Sequence, residues 1–337
     1  MTLEMALGAA ILTSLIIYAL TGGADFGGGV WDLLATGPRA RQQREAIEEA
    51  IAPIWEANHV WLILVVVLVF TAFPPAFAIM MTALHIPLTL TLIGIVLRAS
   101  AFVFRRYDVQ RDAVHRRWSR VFGVSSLLTP FFLGMSLGAT GSGAIRADGA
   151  LVQTGFFAGW TAPFAISCGV FAQLLFAFLA ATYLTVDTAD DPPVQEDFRW
   201  KGLVSGLALI PAALAVFLLA GSGAPTIYAG LTRWWAPLLL GGTALCAGAA
   251  LVALQQRRFM LARMAAGAQV GLIVLGWGIA QYPYLVVPDV TLQGAATESR
   301  TLRLVVITLA AGAVVLVPSL IYLFRVFKAG NDTKGER

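Results

Sequence analysis

Glu56, Asn58 and His59 lie on one short stretch between Trp55 and Trp61, and the apolar run Leu62 to Phe70 follows at once. A carboxylate, an amide and an imidazole at the mouth of an apolar run are parts from which a proton relay is built. Ionisable groups inside a bilayer are costly, rare and functional by default. On a helix Glu56 and His59 are three residues apart and share a face, which Ala52 and Ile63 extend. Pro53 removes a backbone donor and disfavours regular helix before it, which predicts a kink with room for water near Glu56. Asp25 and Arg98, each in or beside another apolar run, complete the set. Asp25, Glu56 and His59 read as a proton-conducting group open to the cytoplasm, with Trp55, Asn58, Trp61 and Arg98 supporting it. A purely structural reading has Glu56 neutralising Arg98, Asp25 capping the first span and His59 packing or hydrogen bonding.

The elements that must position these groups are membrane spans. The chain of 337 residues is 58% hydrophobic and only 12% charged, with a mean hydropathy of +0.78, against about 25% charged in soluble domains. Crossing the hydrocarbon takes about 20 mostly apolar residues. Nine runs qualify, near 5–23, 54–73, 78–104, 121–140, 157–185, 203–221, 234–254, 262–282 and 303–326. The expected fold is an all-α, polytopic membrane protein forming a single transmembrane domain. Spans 1–4 (5–140) and 5–8 (157–282) would make two four-helix bundles, with span 9 (303–326) peripheral. Glu4 precedes the first run and no basic segment does, so that run reads as a span rather than a cleaved signal. The net charge of +4 is dispersed over loops and points to no nucleic-acid partner.

Lysine and arginine favour cytoplasmic loops. With the N-terminus outside, the outer segments hold Arg146, Arg233, Arg300 and Arg303, and most of the 23 basic residues fall on inner segments that include the C-terminus. Trp31, Trp118, Trp160, Trp200, Trp234 and Trp235 fall near span ends, as an interfacial aromatic belt requires. A tight Phe73-Pro74-Pro75 turn joins spans 2 and 3. By the helical rise, Glu56 lies about 26 Å and Arg98 about 30 Å from that face, which predicts an ion pair near the cytoplasm. Gly27, Gly28 and Gly29 lack the flanking strand and lysine of a phosphate loop and are expected to turn the chain at the membrane surface.

Metal and haem chemistry find little support. Cys168 and Cys246 are 78 residues apart in apolar runs and read as helix-packing residues,. No Cys/His cluster has zinc spacing. A haem held between two imidazoles needs both at one depth, whereas His59 and His85 fall about 21 Å and about 10 Å from the outer face. His115 lies in a basic inner loop.

Three stretches together resemble subunit II of the cytochrome bd quinol oxidases: Thr21-Gly22-Gly23-Ala24-Asp25-Phe26-Gly27-Gly28-Gly29, Ile51-Ala52-Pro53 through Trp61-Leu62-Ile63, and Leu97-Arg98-Ala99-Ser100-Ala101-Phe102. The resemblance is most specific over residues 21–106. It implies a nine-span, haem-free subunit of the bacterial cytoplasmic membrane. Its heterodimer partner, subunit I, would carry haem b, haem d and the quinol site, and small single-span subunits often join. The complex would oxidise quinol and reduce oxygen to water with cytoplasmic protons. The resemblance places a proton-channel carboxylate at Glu56 and allows a structural quinone beside lipid. Glu56 stands where other members have Asp, and His59 where some have Gln. The competing class is a stand-alone proton-coupled transporter, which would place broken helices and polar groups near the midplane in both repeats. Here the polar groups gather in spans 1–3.

Overall fold

The computed structural model describes residues 2–53, 55–107, 112–149 and 151–329. The chain runs α1 (Leu3–Leu34), α2 (Ala40–Ile51), α3 (Trp55–Ala72), α4 (Pro74–Ala83), α5 (His85–Tyr107), α6 (Asp112–Ser142), then the hairpin β1 (Ala147–Asp148) and β2 (Leu151–Val152). It continues with α7 (Pro163–Asp187), α8 (Pro192–Gly223), α9 (Pro225–Leu231), α10 (Ala236–Gln255), α11 (Phe259–Gln281), the pair β3 (Tyr284–Val286) and β4 (Val290–Thr291), and α12 (Ser299–Ala329). Among the described residues nine helices are long and apolar enough to cross a membrane: α1, α3, α5, α6, α7, α8, α10, α11 and α12. The all-α, nine-span expectation therefore holds. The side chain of His115 lies outside the described residues.

Local chemistry explains the punctuation. Proline occupies the first position of α4, α7, α8 and α9, where its missing N–H costs nothing. Asp191 caps α8 by accepting from Val194 N at 3.2 Å. The expected third span, 78–104, is in fact divided. Leu84 closes α4 and α5 starts at His85, because Pro87 is accommodated only in a first helical turn.

The largest correction concerns the first span. It does not turn after Gly23 but continues as helix to Leu34. Gly27 and its neighbours are helical contact points, not a surface turn. A Cβ on Gly27 would lie 1.9 Å from the Phe176 carbonyl oxygen, and one on Gly29 2.1 Å from Ser126 Oγ. Small residues let membrane helices approach closely, because van der Waals packing rather than water exclusion holds them together. Gly134 and Gly138 of α6 do the same against Cys168 and Gly169 of α7. Cys168 and Cys246 are both free and half-buried.

With its added length α1 becomes the central post, packing on α7, α3, α6 and α11, while α12 meets α1 and α3. Two ends can be distinguished. The hairpin end carries both strand pairs and a core of Leu7, Leu68, Ile79, Met135 and Val286. The basic end carries α2, whose Ile47 and Ile51 pack with Trp31, Phe102, Phe122 and Phe198. Trp31 is thus no interfacial belt residue: it is buried and its Nε1 donates to Ala177 O at 2.7 Å. Trp160 is buried too, whereas Trp200 and Trp234 are exposed.

At the hairpin end Arg146 donates through Nε and Nη2 to the Asp289 carboxylate at 2.8 and 3.2 Å, and Ala147 N donates to it at 2.9 Å. Arg146 holds the Asp289 carboxyl below the usual carboxylate range. A depressed carboxyl stabilises above its unfolded pKa and loses that contribution as pH falls through its folded value. Protease cleavage in the 143–162 loop is therefore expected to stay slow from neutral pH into the ordinary carboxylate range and to rise only below it. Asp289→Asn should be cleaved readily at neutral pH; equal resistance of that variant would show the clamp to be dispensable.

Candidate functional site

The site begins with Asp25, which the long α1 carries into the protein interior, 5% exposed. Asn58 of α3, 2% exposed, donates Nδ2 to Asp25 Oδ2 at 2.7 Å. Arg98 of α5 is also 2% exposed. Its Nη2 donates to the backbone carbonyl of Asp25 at 3.1 Å and its Nε to Ser126 Oγ at 3.2 Å. Ser126 in turn donates to Phe122 O at 2.7 Å. The guanidinium lies 4.9 Å from the Phe26 ring centre and 5.2 Å from that of Phe122, within cation–π range. A buried charge must be paired and hydrogen-bonded to be tolerated. Here Asp25 serves Arg98 twice, through its carbonyl directly and through its carboxylate as nearby countercharge.

Glu56 is not part of this chamber. Asn58 faces inward, and two residues turn a helix by about 200°, so Glu56 faces outward and is exposed. Ile63, two turns on, is exposed with it. The expected Glu56–Arg98 ion pair is therefore not formed; Arg98 bonds the backbone carbonyl of Asp25 instead, with the Asp25 side chain bonded to Asn58. Nor does Asp25 cap the first span; it lies nine residues inside α1. Pro53 does not kink a span. It lies in the turn between α2 and α3.

His59 is half-buried among the rings of Tyr18, Phe26 and Trp55, with centroids at 5.9, 5.9 and 6.5 Å. Trp55 also packs on Phe102 at 5.8 Å. Trp61 is half-buried against the central core and takes no part in the polar contacts.

A second buried set was missing from the four intramembrane charges expected. Arg105 donates Nη1 to Asp32 Oδ1 at 2.7 Å, and Nε and Nη2 to Glu48 Oε2 at 3.1 and 2.8 Å. The Arg105 and Asp32 side chains are 3% and 1% exposed. Phe122 contacts this guanidinium as well, at 5.6 Å. Asp25 and Asp32 are seven residues apart, as are Arg98 and Arg105. Two such parallel repeats are a signal the sequence carries: an acid–arginine rung recurring after two helical turns. Beyond them, Gln43 of α2 donates to Asp197 at 2.7 Å and accepts from Lys201 Nζ at 2.7 Å, which ties α2 to α8.

Two of the three histidines have described side chains, and they lie apart. His59 is walled by aromatic rings, and His85 Nδ1 sits 2.9 Å from Thr82 O beside Phe156, at the hairpin end. Among the described residues no three of His, Cys, Asp and Glu are grouped to hold a metal ion.

Among the described residues, nine apolar helices around a buried aspartate and arginine define a multi-pass membrane protein. The chain belongs to a known family of that class: the family model "Cytochrome bd terminal oxidase subunit II" matches residues 3–327. It is thus a subunit of the bd-type respiratory quinol oxidases. It is 25% identical over 340 residues to a Bacillus subtilis (strain 168) protein named "Putative cytochrome bd menaquinol oxidase subunit II", covering 96% of this chain and 97% of that protein. It is 27% identical over 210 residues to the cytochrome bd-I ubiquinol oxidase subunit 2 of Escherichia coli K12, covering 61% and 53%. Its fold matches a chain in the structure of bd oxidase from Geobacillus thermodenitrificans with a TM-score of 0.81, at 23% identity and over 97% and 99% of the two chains.

Proposed function

We propose that this chain is the haem-free subunit II of a quinol:oxygen oxidoreductase and supplies a proton path from the cytoplasm. In this reading its basic end faces the cytoplasm, with the N-terminus outside and the C-terminus inside, in a bacterial inner membrane. The partner is subunit I, whose haems b and d would carry electrons from quinol to oxygen. The exposed apolar faces of α3 and α5, including Ile63, Phe70, Leu92, Val96 and Phe104, are suited to that partner. Glu56 stands at the inner end of this face, so docking would bury its carboxylate at the seam. Spans 1–4 would form the half that meets the partner, spans 5–8 the outer half and span 9 its edge. A single-span subunit could join there. A groove of about 780 Å³ between α1, α3 and α12, lined by Thr13, Trp61, Leu68 and Leu316 among others, would take lipid or a structural quinone.

The observation that carries the proton role is the buried Asp25 carboxylate, held by Asn58 and set against Arg98. Arg98 supplies a nearby positive charge, and Asn58 holds one carboxylate oxygen in place. A group balanced in this way can take up and release a proton. Glu56 is the entry, His59 lies one turn along α3, and Asp25 is the interior station. Asp25→Asn is expected to lower oxygen consumption by on the order of 100-fold, the lower end for a positioned proton-transfer group. Glu56→Gln should lower it less, since water can reach the next station by other routes. Glu56→Gln should assemble with normal haem content. Asp25→Asn leaves Arg98 its bonds to the residue 25 carbonyl and Ser126 and its two rings, so it should assemble in reduced yield, and turnover is taken per haem. Wild-type turnover in both assembled variants would leave the chamber a structural feature.

A further inference from the structure

Tyr18 lies two turns before Asp25 on α1 and is 2% exposed. Its ring lies against Gly22, where an added Cβ would come 2.6 Å from Tyr18 Cε2. Glycine at 22 thus leaves the space the ring fills. The Tyr18 and His59 ring centres are 5.9 Å apart, tilted by 48°. The Tyr18 hydroxyl and His59 Nδ1 are both buried, and neither is hydrogen-bonded to a protein group among the described residues.

An unsatisfied buried polar group costs about 1–3 kcal/mol, so two on adjoining rings need a reason. A water is held at such a place when the site is polar and offers two or more partners. The charges that reach the pair are Asp25 from α1 and Arg98 from α5. From α6 the chamber receives Ser126 and Phe122. On α3, Glu56 lies one turn before His59 and is exposed. The walls around the pair, Phe26 and Trp55, are aromatic.

We propose that Tyr18 and His59 hold a water molecule between them and that this water passes protons to Asp25. The Tyr18 hydroxyl donates to the water oxygen, and the water donates one hydrogen to His59 Nδ1. A proton arriving on this water moves to the Asp25 carboxylate, leaving neutral water behind. Release from Asp25 restores the carboxylate, so neither ring changes its net protonation. Tyr18 and His59 are positioning residues, and Gly22 makes the room for Tyr18. The inference rests on the proton-path reading of Asp25.

The test uses the assembled oxidase, with turnover normalised to haem content. Tyr18→Phe and His59→Leu are each expected to slow oxygen consumption about three- to tenfold, the worth of one buried hydrogen bond. Each should also enlarge the solvent deuterium isotope effect. Because both act on one water, the double variant should be no slower than the slower single. His59→Gln, whose amide can accept in place of Nδ1, should recover most of the rate. Wild-type rates in both single variants, or losses that multiply in the double, overturn the proposal. If these rates are normal while Asp25→Asn is slow, the proton path stands without this pair; if Asp25→Asn is also normal, the path itself fails. Should a variant not assemble, a map of the wild-type complex that resolves ordered solvent decides. Water between Tyr18 Oη and His59 Nδ1 is expected there, and direct pairing of either atom with another protein group overturns the inference.

Discussion

Arg98→Leu is expected to abolish recovery of the assembled oxidase, read as haem-containing complex per unit of membrane. The substitution removes the donor to Asp25 O and Ser126 Oγ and the cation between Phe26 and Phe122. It also strands the Asp25 carboxylate in a closed chamber. Breaking a buried pair in this way costs about 3–5 kcal/mol, far more than the intact pair contributes, because one charge is left without compensation. That is a large part of a typical folding free energy of about 5–15 kcal/mol. Removing both charges should cost much less, so Arg98→Leu/Asp25→Asn is expected to restore assembly, though not turnover. Arg98→Leu/Glu56→Gln should restore nothing, since Glu56 lies outside the chamber. Rescue by Glu56→Gln instead of Asp25→Asn would show that the pairing read from the structure is wrong. Arg98→Lys should rescue assembly only in part. An ammonium keeps the charge but cannot fork between Ser126 and the Asp25 carbonyl.

Gly27→Ala should have the second largest effect, and it involves no charge. The added methyl would sit 1.9 Å from Phe176 O, 2.5 Å from its carbonyl carbon and 2.7 Å from Ala180 Cβ. A flexible side chain could swing aside, but the first two of these atoms are backbone of α7. The helices must separate, and overpacking of this kind costs about 1–3 kcal/mol or more. Separation also loosens the chamber, because Asp25 and Phe26 precede Gly27 directly. The expected result is a marked fall in the temperature at which the purified oxidase loses activity. Two controls isolate the cause. At Gly8 the nearest atom is the tip of Leu292, at 3.1 Å, and alanine should be tolerated. At Gly248 nothing lies within 4 Å, and alanine should be neutral or stabilising by about 0.5–1 kcal/mol, the helix penalty of glycine. Equal thermal loss for all three variants would mean that helix propensity, not the α1–α7 contact, governs the outcome.

The span count, the loop punctuation and the choice of Asp25, Asn58, His59 and Arg98 were all legible in the residues. Each follows from a local rule: length of apolar run, proline at a helix start, a polar group in an apolar setting. What failed was pairing. Helical rise puts Glu56 and Arg98 at similar depth, but depth along a helix does not give the direction around it. Asn58 occupies the inward direction on α3, so Glu56 cannot. The apolar run 5–23 stops before Gly27, Gly28 and Gly29, and glycine's backbone freedom suggests a surface turn there. In a packed membrane core the same residue is a contact point, and which use applies depends on the neighbour, here Phe176 of α7. Asp32 and Arg105 lie beyond the apolar runs 5–23 and 78–104, so hydropathy along single segments assigns both to loops.

By itself the sequence determined that this is a nine-span membrane protein with its scarce charges gathered in the first three spans, since bilayer thickness and the cost of burying charge act on each segment alone. Only the tertiary structure decided that Asp25, not Glu56, faces Arg98, that Asp32 and Arg105 repeat the motif two turns on, and that Tyr18 reaches His59. Those outcomes depend on how α1, α3, α5, α6 and α7 are rotated against one another. Rotation is fixed by where glycines let helices touch, and that is a property of pairs of segments that no single segment carries.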